Sequence, residues 1–227
     1  MTRYRDLTAN SSFDTIVGRG LSRQFGRRVL WGNLDFTVEA GQMVALTGPS
    51  GSGKSTLLNC VGLLERVSVG SILVNGHDIT SFHAAAARRF RRDTVGYLFQ
   101  NYALVENATV AENLAIATAA QRRSTRRAAP LASDALRQVG LHGRETEPVY
   151  RLSGGEQQRV ALARLIVKNP SIVLADEPTG ALDRGNADMV VQALRAFADR
   201  GCAVLVATHS DNVAGACDGR IDLAMAG

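Results

Sequence analysis

A glycine-rich stretch that ends in a lysine and two hydroxyl residues has the residue types most suited to chemistry. Its residues are Gly48, Pro49, Ser50, Gly51, Ser52, Gly53, Lys54, Ser55 and Thr56. It lies between a predicted buried strand and a segment of helical composition, where backbone N–H groups can surround a phosphate and the helix presents its positive end. Lys54 would bridge β- and γ-phosphates, and the Ser55 hydroxyl would ligate Mg²⁺. By itself the stretch predicts only nucleotide phosphate binding.

Two adjacent carboxylates follow a second predicted buried strand, Ile172 to Ala175. In open α/β sheets ligands bind at the carboxyl ends of strands, which is where this pair would lie. Asp176 suits a Mg²⁺ contact, direct or through water, and Glu177 suits orienting and deprotonating an attacking water. The alternative is a solvated loop, and the phosphate-binding stretch favours the catalytic interpretation.

A Ser-Gly-Gly-Glu segment, residues Ser153, Gly154, Gly155 and Glu156, precedes a predicted helix. Free N–H groups, a hydroxyl and the absence of obstructing side chains make such a helix start a candidate anion site. The alternative is a helix whose first turn is simply capped by Ser153. The residues alone leave both interpretations open, and since one phosphate loop is already present, a second anion site would need another ligand.

Together these segments resemble the ABC ATPases. The motifs GPSGSGKST, LSGGEQQR and LADEPTGALD and the isolated His209 occur in the order typical of that family, and the resemblance covers about Ile16 to Ile221. It implies ATP and Mg²⁺ as ligands and a head-to-tail dimer. In that dimer, Ser153 to Gly155 of one copy would close over the γ-phosphate held by Gly48 to Thr56 of the other.

The resemblance also assigns roles to individual residues outside the phosphate-binding stretch. Gln100 resembles the glutamine that touches Mg²⁺ or the attacking water and links the site to the helical lobe. His209 resembles the histidine that contacts the γ-phosphate and steadies Glu177. Phe25 lies where the family places an adenine-stacking ring, with core packing as the alternative. Ala181 to Asp183 resembles the loop that faces the dimer partner.

The order of predicted elements favours an α/β fold. Strands and helices alternate at both ends of the chain and helices dominate the middle, which predicts a mostly parallel sheet with a helical insertion. In terms of the resemblance this is a RecA-like P-loop NTPase core with an N-terminal antiparallel β subdomain and a helical subdomain at about 101–155. We expect breaks in that lobe at Pro130, Gly140 and Pro148. Residues 1–13 are interpreted as a tail and 14–227 as a single domain.

The composition is that of an ordinary globular protein: 45% of the 227 residues are hydrophobic and 21% are charged. No apolar run approaches the roughly 20 residues that cross a bilayer, and the first residues do not resemble a secretory signal. The net charge of +5 permits nucleic acid as a partner. However, the arginines are spread along the chain, so solvated helix faces explain their local clusters and we expect no nucleic acid partner.

These observations predict the ATP-hydrolysing subunit of a transporter, located at the cytoplasmic face of the membrane and bound to a separate transmembrane permease. The motifs resemble the macrolide-efflux and lipoprotein-releasing branch, and Asn101 to Asn113 resembles more narrowly the cassettes of lactococcin 972-type bacteriocin export. The main alternative is a regulatory cassette that controls a cell-envelope enzyme without moving solute. A DNA-linked ATPase is a third possibility, which salt-sensitive DNA binding would reveal.

Overall fold

A computed structural model of the protein describes residues 15–120, 125–180 and 182–223. Its elements, in chain order, are β1 Ile16–Phe25, β2 Arg28–Val38, β3 Met43–Thr47, α1 Lys54–Val61, β4 Val69–Val74, β5 His77–Asp78, α2 Ala84–Asp93, β6 Val95–Leu98, α3 Val110–Ala120, α4 Thr125–Gln138, a 3₁₀ turn Val149–Arg151, α5 Gly154–Lys168, β7 Ile172–Asp176, α6 Arg184–Asp199, β8 Ala203–Ala207, α7 Asp211–Gly215 and β9 Gly219–Asp222. The predicted α/β class is confirmed.

The N-terminal strands form an antiparallel sheet with the order β2-β1-β4-β5. Its long strands β1 and β2 alternate buried and exposed residues over much of their length, because one face covers the core and the other faces solvent. The two strands are joined at Phe25 and Arg28. The hairpin therefore carries Phe25 at its exposed end.

The second sheet has the order β6-β7-β8-β3-β9, and all its neighbouring strands are parallel. Its central strands β3, β7 and β8 are almost continuously apolar and buried, as expected for a sheet covered on both faces. Because the strands are parallel, their carboxyl ends lie at one edge. The glycine-rich stretch, Gln100, Glu177 and His209 all follow strands that end at this edge.

The helical lobe consists of α3, α4 and α5, which pack against one another and share a core with β6, β7 and β8. The predicted break at Pro130 is wrong, because α4 continues through that residue. Pro130 lies in the second turn of the helix, where the missing N–H costs one backbone hydrogen bond. Gly140 and Pro148 do lie outside helices, as predicted.

The helix after the glycine-rich stretch ends at Val61, and Leu63 just beyond it adopts the left-handed conformation with φ 54°. Strand β6 ends at Leu98, so Gln100 lies in the following turn. Among residues 15–120, 125–180 and 182–223, no helix combines the length and apolarity needed to cross a membrane. The predicted tail, 1–13, lies outside these residues.

Candidate active site

The glycine-rich stretch forms a tight loop between β3 and α1 that only glycine can build at two positions. Gly48 has φ 140°, and a Cβ atom there would lie 2.6 Å from the carbonyl oxygen of Leu223. Gly53 has φ 92°, and its Cβ would lie 2.7 Å from Nε1 of Trp31. Both φ values fall in the region that L side chains avoid. The sequence therefore dictates a loop whose backbone packs closely against Leu223 and Trp31.

Lys54, at the start of α1, turns its ammonium back over this loop. Its Nζ donates to the carbonyl oxygens of Gly48, at 2.8 Å, and Pro49, at 3.2 Å. The side chain is 9% exposed. Ser52 is buried, and its Oγ has no hydrogen-bond partner among the described residues. A buried hydroxyl without a partner and an ammonium held only by carbonyls fit a loop that accepts a polyphosphate.

Ser55 and Asp176 meet at the carboxyl ends of β3 and β7. The Ser55 hydroxyl donates to Asp176 Oδ1 at 2.9 Å. Burial raises the pKa of Asp176 above its ordinary value, the Ser55 hydrogen bond lowers it, and the neighbouring charge of Glu177 raises it further. A hydroxyl beside a partly desolvated carboxylate matches the oxygen ligands that Mg²⁺ prefers, so the predicted pair fits the metal.

Glu177 is held in an unusual backbone conformation. Its φ is 45°, in the left-handed region, and its N–H donates to the carbonyl oxygen of Ala207 on β8 at 2.9 Å. Its Oε2 lies 2.8 Å from Nδ1 of His209, which follows the same strand β8. Side chains of these residues are 16% and 72% exposed, respectively. A non-glycine residue strained in this way beside a histidine is typical of a functional site.

The Glu177 and His209 pair opens onto a groove with a volume of about 780 Å³. The groove is lined by the segment after β7, by α6 and by α7; its lining residues include Thr179, Leu182 and Asn212. Ala181, the first residue of the predicted dimer-facing loop, lies outside the described residues. The carboxylate predicted as the base thus has open space in front of it.

Gln100 follows β6, next to β7 in the parallel sheet, so the fold brings it to the edge that carries Asp176. It is exposed. In the described part of the chain its side chain makes no hydrogen bond to Ser55 or Asp176. Its role at the metal therefore stays a prediction.

Ser153 caps helix α5 in a complete capping box. Its Oγ accepts from the N–H of Glu156 at 3.3 Å, and Glu156 Oε2 accepts from the Ser153 N–H at 2.8 Å. The capping interpretation is correct, and it leaves the exposed Gly154 N–H available. Arg144 lies 3.1 Å from Glu156 Oε1. These hydrogen bonds hold the pKa of Glu156 below its ordinary value, so the turn carries a carboxylate beside the candidate anion site.

Phe25 is 48% exposed, so the ring is not part of the core. The same hairpin also reaches the phosphate loop: Arg28 Nη2 donates to the carbonyl oxygen of Gly51 at 3.2 Å. An exposed ring on a strand end attached to a phosphate loop is suitably placed for a nucleotide base. Sequence analysis did not identify Arg28 or Trp31, the buried ring beneath Gly53; the single tryptophan of the chain was the available signal.

Comparisons with known sequences show which proteins this chain resembles. The sequence profile of the ABC transporter family matches residues 31–180. The lipoprotein-releasing system ATP-binding protein LolD 1 of Caulobacter vibrioides is 40% identical over 217 residues, which cover 92% of each chain. The macrolide export ATP-binding/permease protein MacB of Rhodopseudomonas palustris is 40% identical over 206 residues, 88% of this chain and 31% of MacB.

Solved structures show the same fold. The dimeric structure of the ABC transporter cassette MJ0796 superimposes with a TM-score of 0.83 at 30% identity, covering 92% of this chain and 94% of that one. The same cassette in a post-hydrolysis state with ADP and Pi also gives a TM-score of 0.83, covering 91% of this chain and 93% of that one.

Proposed function

Because this chain belongs to the ABC transporter family and is an ATP-hydrolysing cassette of that family, we propose that two copies close head to tail on two ATP molecules. The main support is the open groove of about 780 Å³ in front of Glu177 and His209. The phosphate loop contacts Arg28, Trp31 and Leu223, whereas the Ser153 turn contacts Arg144. A second copy could therefore supply its Ser153 turn to the open side of the phosphate loop.

In this proposal each side chain has a defined task. Phe25 stacks on adenine, the loop N–H groups and Lys54 hold the phosphates, and Ser55 and Asp176 hold Mg²⁺. When bound, Mg²⁺ neutralises charge on the phosphate oxygens. Glu177 accepts the proton of the attacking water, and His209, 2.8 Å from its carboxylate, fixes the direction in which that carboxylate faces.

The closure is coupled to a membrane partner. LolD is named as part of a lipoprotein-releasing system, and MacB as an export ATP-binding/permease protein. We therefore propose that this chain is located at the cytoplasmic face of the membrane, bound to a separate permease, and that it drives export. The narrower assignment to bacteriocin export rests only on Asn101 to Asn113.

Chromatography with light scattering tests the closure. The Glu177→Gln variant binds ATP without hydrolysing it, so it should shift from the monomer mass of 24.2 kDa to twice that mass only when ATP and Mg²⁺ are added. ADP is the matched control and should leave a monomer. A variant that stays monomeric with ATP would contradict the proposed dimer.

Co-purification tests the partner. Tagged wild-type chain, isolated from detergent-solubilised membranes of the native host, should bring down a protein with predicted transmembrane helices. Deleting the gene of that protein should abolish accumulation of its cargo outside the cells. Wall hydrolysis that changes while no solute is exported would instead support the regulatory alternative.

A further inference from the structure

An unbroken series of side-chain contacts begins at the exposed ring of Phe25. The guanidinium of Arg23 lies over this ring, with Cζ 4.2 Å from the centroid. Its Nη2 donates to Glu65 Oε2 at 2.9 Å, and its Nη1 donates to the carbonyl oxygen of Arg66 at 2.6 Å. Arg23 is only 16% exposed. A planar guanidinium held at two points by the loop after α1 therefore fixes one face of the ring.

The series continues from Glu65 towards the parallel sheet. The amide Nδ2 of Asn59, on α1, donates to the second oxygen of Glu65 at 2.9 Å. The hydroxyl of Tyr97, on β6, donates to Asn59 Oδ1 at 2.8 Å. The Tyr97 ring stacks on Phe99, with centroids 3.9 Å apart and planes at 10°, and Phe99 immediately precedes Gln100.

Each hydrogen bond in this series has a defined donor and acceptor, so each side chain restricts the orientation of the next. Asn59 presents its donor to Glu65 and its acceptor to Tyr97. A flipped amide would place its oxygen against the Glu65 carboxylate, and both groups are acceptors. Burial, and then the charge of Asp176, raise the pKa of Tyr97 well above its ordinary value. The hydroxyl is therefore protonated and acts as the donor.

We propose that this polar chain, defined as Arg23, Glu65, Asn59 and Tyr97, couples stacking of the base on Phe25 to the placement of Gln100. If base stacking displaces the Phe25 ring from the Arg23 guanidinium, the constraint on Arg23 changes. The hydrogen bonds through Glu65 and Asn59 then transmit this change to the stacked rings of Tyr97 and Phe99. The members act through Phe25 and Gln100 and are positioning residues. The inference rests on the proposed function, in which Phe25 stacks on adenine and Gln100 acts at the metal.

A double-mutant cycle on kcat for ATP hydrolysis tests the coupling. Phe25→Ala removes the ring, and Tyr97→Phe removes only the hydroxyl while the stack on Phe99 is kept. Effects of separate, independent sites multiply to within roughly twofold. We expect the double variant to depart from the product of the single effects by more than about threefold. A departure from that product of about threefold or less would overturn the coupling proposed for the polar chain.

Matched controls separate coupling from general damage. Tyr150 is 55% exposed and outside the polar chain, so Tyr150→Phe crossed with Phe25→Ala should give simple multiplication. If Tyr97→Phe does not fold, Phe25→Ala crossed with Asn59→Ser tests the same chain, because serine removes the amide that joins Glu65 to Tyr97. An unchanged hydrolysis rate in Glu177→Gln would contradict the proposed active site on which this inference rests, whereas multiplicative cycles together with Glu177-dependent hydrolysis would overturn only the polar chain.

Discussion

The phosphate-loop region and the Ser153 turn are both candidate anion sites, but their hydrogen-bond networks differ. At the phosphate loop, Ser52 Oγ has no partner among the described residues, and Lys54 is held only by carbonyls of its own loop. At the Ser153 turn, serine and Glu156 satisfy each other in a capping box, and Arg144 pairs with Glu156.

The difference shows which region depends on a ligand. A buried polar group without a partner costs free energy until another group satisfies it, so the Ser52 hydroxyl is a candidate contact for a bound nucleotide. At the Ser153 turn the side chains of Ser153 and Glu156 are paired within the turn, and Ser153 and Gly154 are exposed. We therefore propose that the phosphate loop, with Asp176 and Glu177 beside it, receives the nucleotide and that the Ser153 turn of a second copy covers it. We call the first the receptor region and the second the lid.

The largest expected effect is on the chemistry of the receptor region. Glu177→Gln removes the proposed base while preserving size, so kcat should fall by roughly 10²- to 10⁴-fold while ATP binding is retained. Phosphate release and equilibrium nucleotide binding measure the two properties. An unchanged rate would show that Glu177 is not the base.

The next largest effect concerns the ammonium of Lys54 in the receptor region. Lys54→Ala should weaken ATP binding by about 100-fold, because a buried ammonium facing the phosphates is lost. Lys168, the only other lysine, provides a matched control at the end of α5. Lys168→Ala should leave the affinity, measured with a fluorescent ATP analogue, unchanged; equal losses in both variants would contradict the assigned contact.

Mixing two inactive variants tests whether receptor and lid come from different copies. Lys54→Ala damages one region and Ser153→Arg obstructs the other, so each variant alone should be inactive. In the mixture, about half of the dimers would contain one copy of each variant. Each of these mixed dimers would have one intact site and one doubly damaged site. About a quarter of the wild-type rate should therefore return. No recovery in a mixture that demonstrably forms mixed dimers would indicate a site contained within one chain.

The smallest expected effect concerns stability: the contribution of Asp176 should depend on pH in the opposite direction to that of an ordinary ion-paired carboxylate. Because the folded pKa of Asp176 is raised, its contribution to stability is present at low pH and lost as pH rises through that pKa. Asp176→Asn should therefore raise the Tm of the nucleotide-free protein at pH 7 by about 2 °C, after solvent screening, and the gain should vanish near pH 4.

The matched control for this reversal is Asp218, whose pKa is lowered mainly by the hydrogen bond from Arg195. Its contribution to stability is present above the unfolded pKa and is lost as pH falls through the folded pKa. Asp218→Asn should therefore lower the Tm at pH 7. Thermal scans at pH 7 measure both changes in Tm. Changes of the same sign for Asp176→Asn and Asp218→Asn would contradict the assignment of Asp176 to the receptor region as a partly desolvated carboxylate.

By itself the sequence determined the α/β class, the buried strands β3 and β7, and the residues that carry the proposed chemistry. It could do so because parallel core strands are continuously apolar, and because phosphate binding requires glycines and a lysine at fixed spacing. Pro130 shows the limit of such reasoning, since a proline near the start of a helix removes only one hydrogen bond and tertiary packing decides whether the helix continues.

Only the tertiary structure decided which distant residues meet. The 2.8 Å contact between Glu177 and His209 depends on β7 and β8 being neighbours. The polar chain from Arg23 to Tyr97 joins the two sheets through α1. Such contacts have no local sequence signal, because they arise from strand order and side-chain direction. The sequence thus specified the reacting groups, whereas the fold specified their partners.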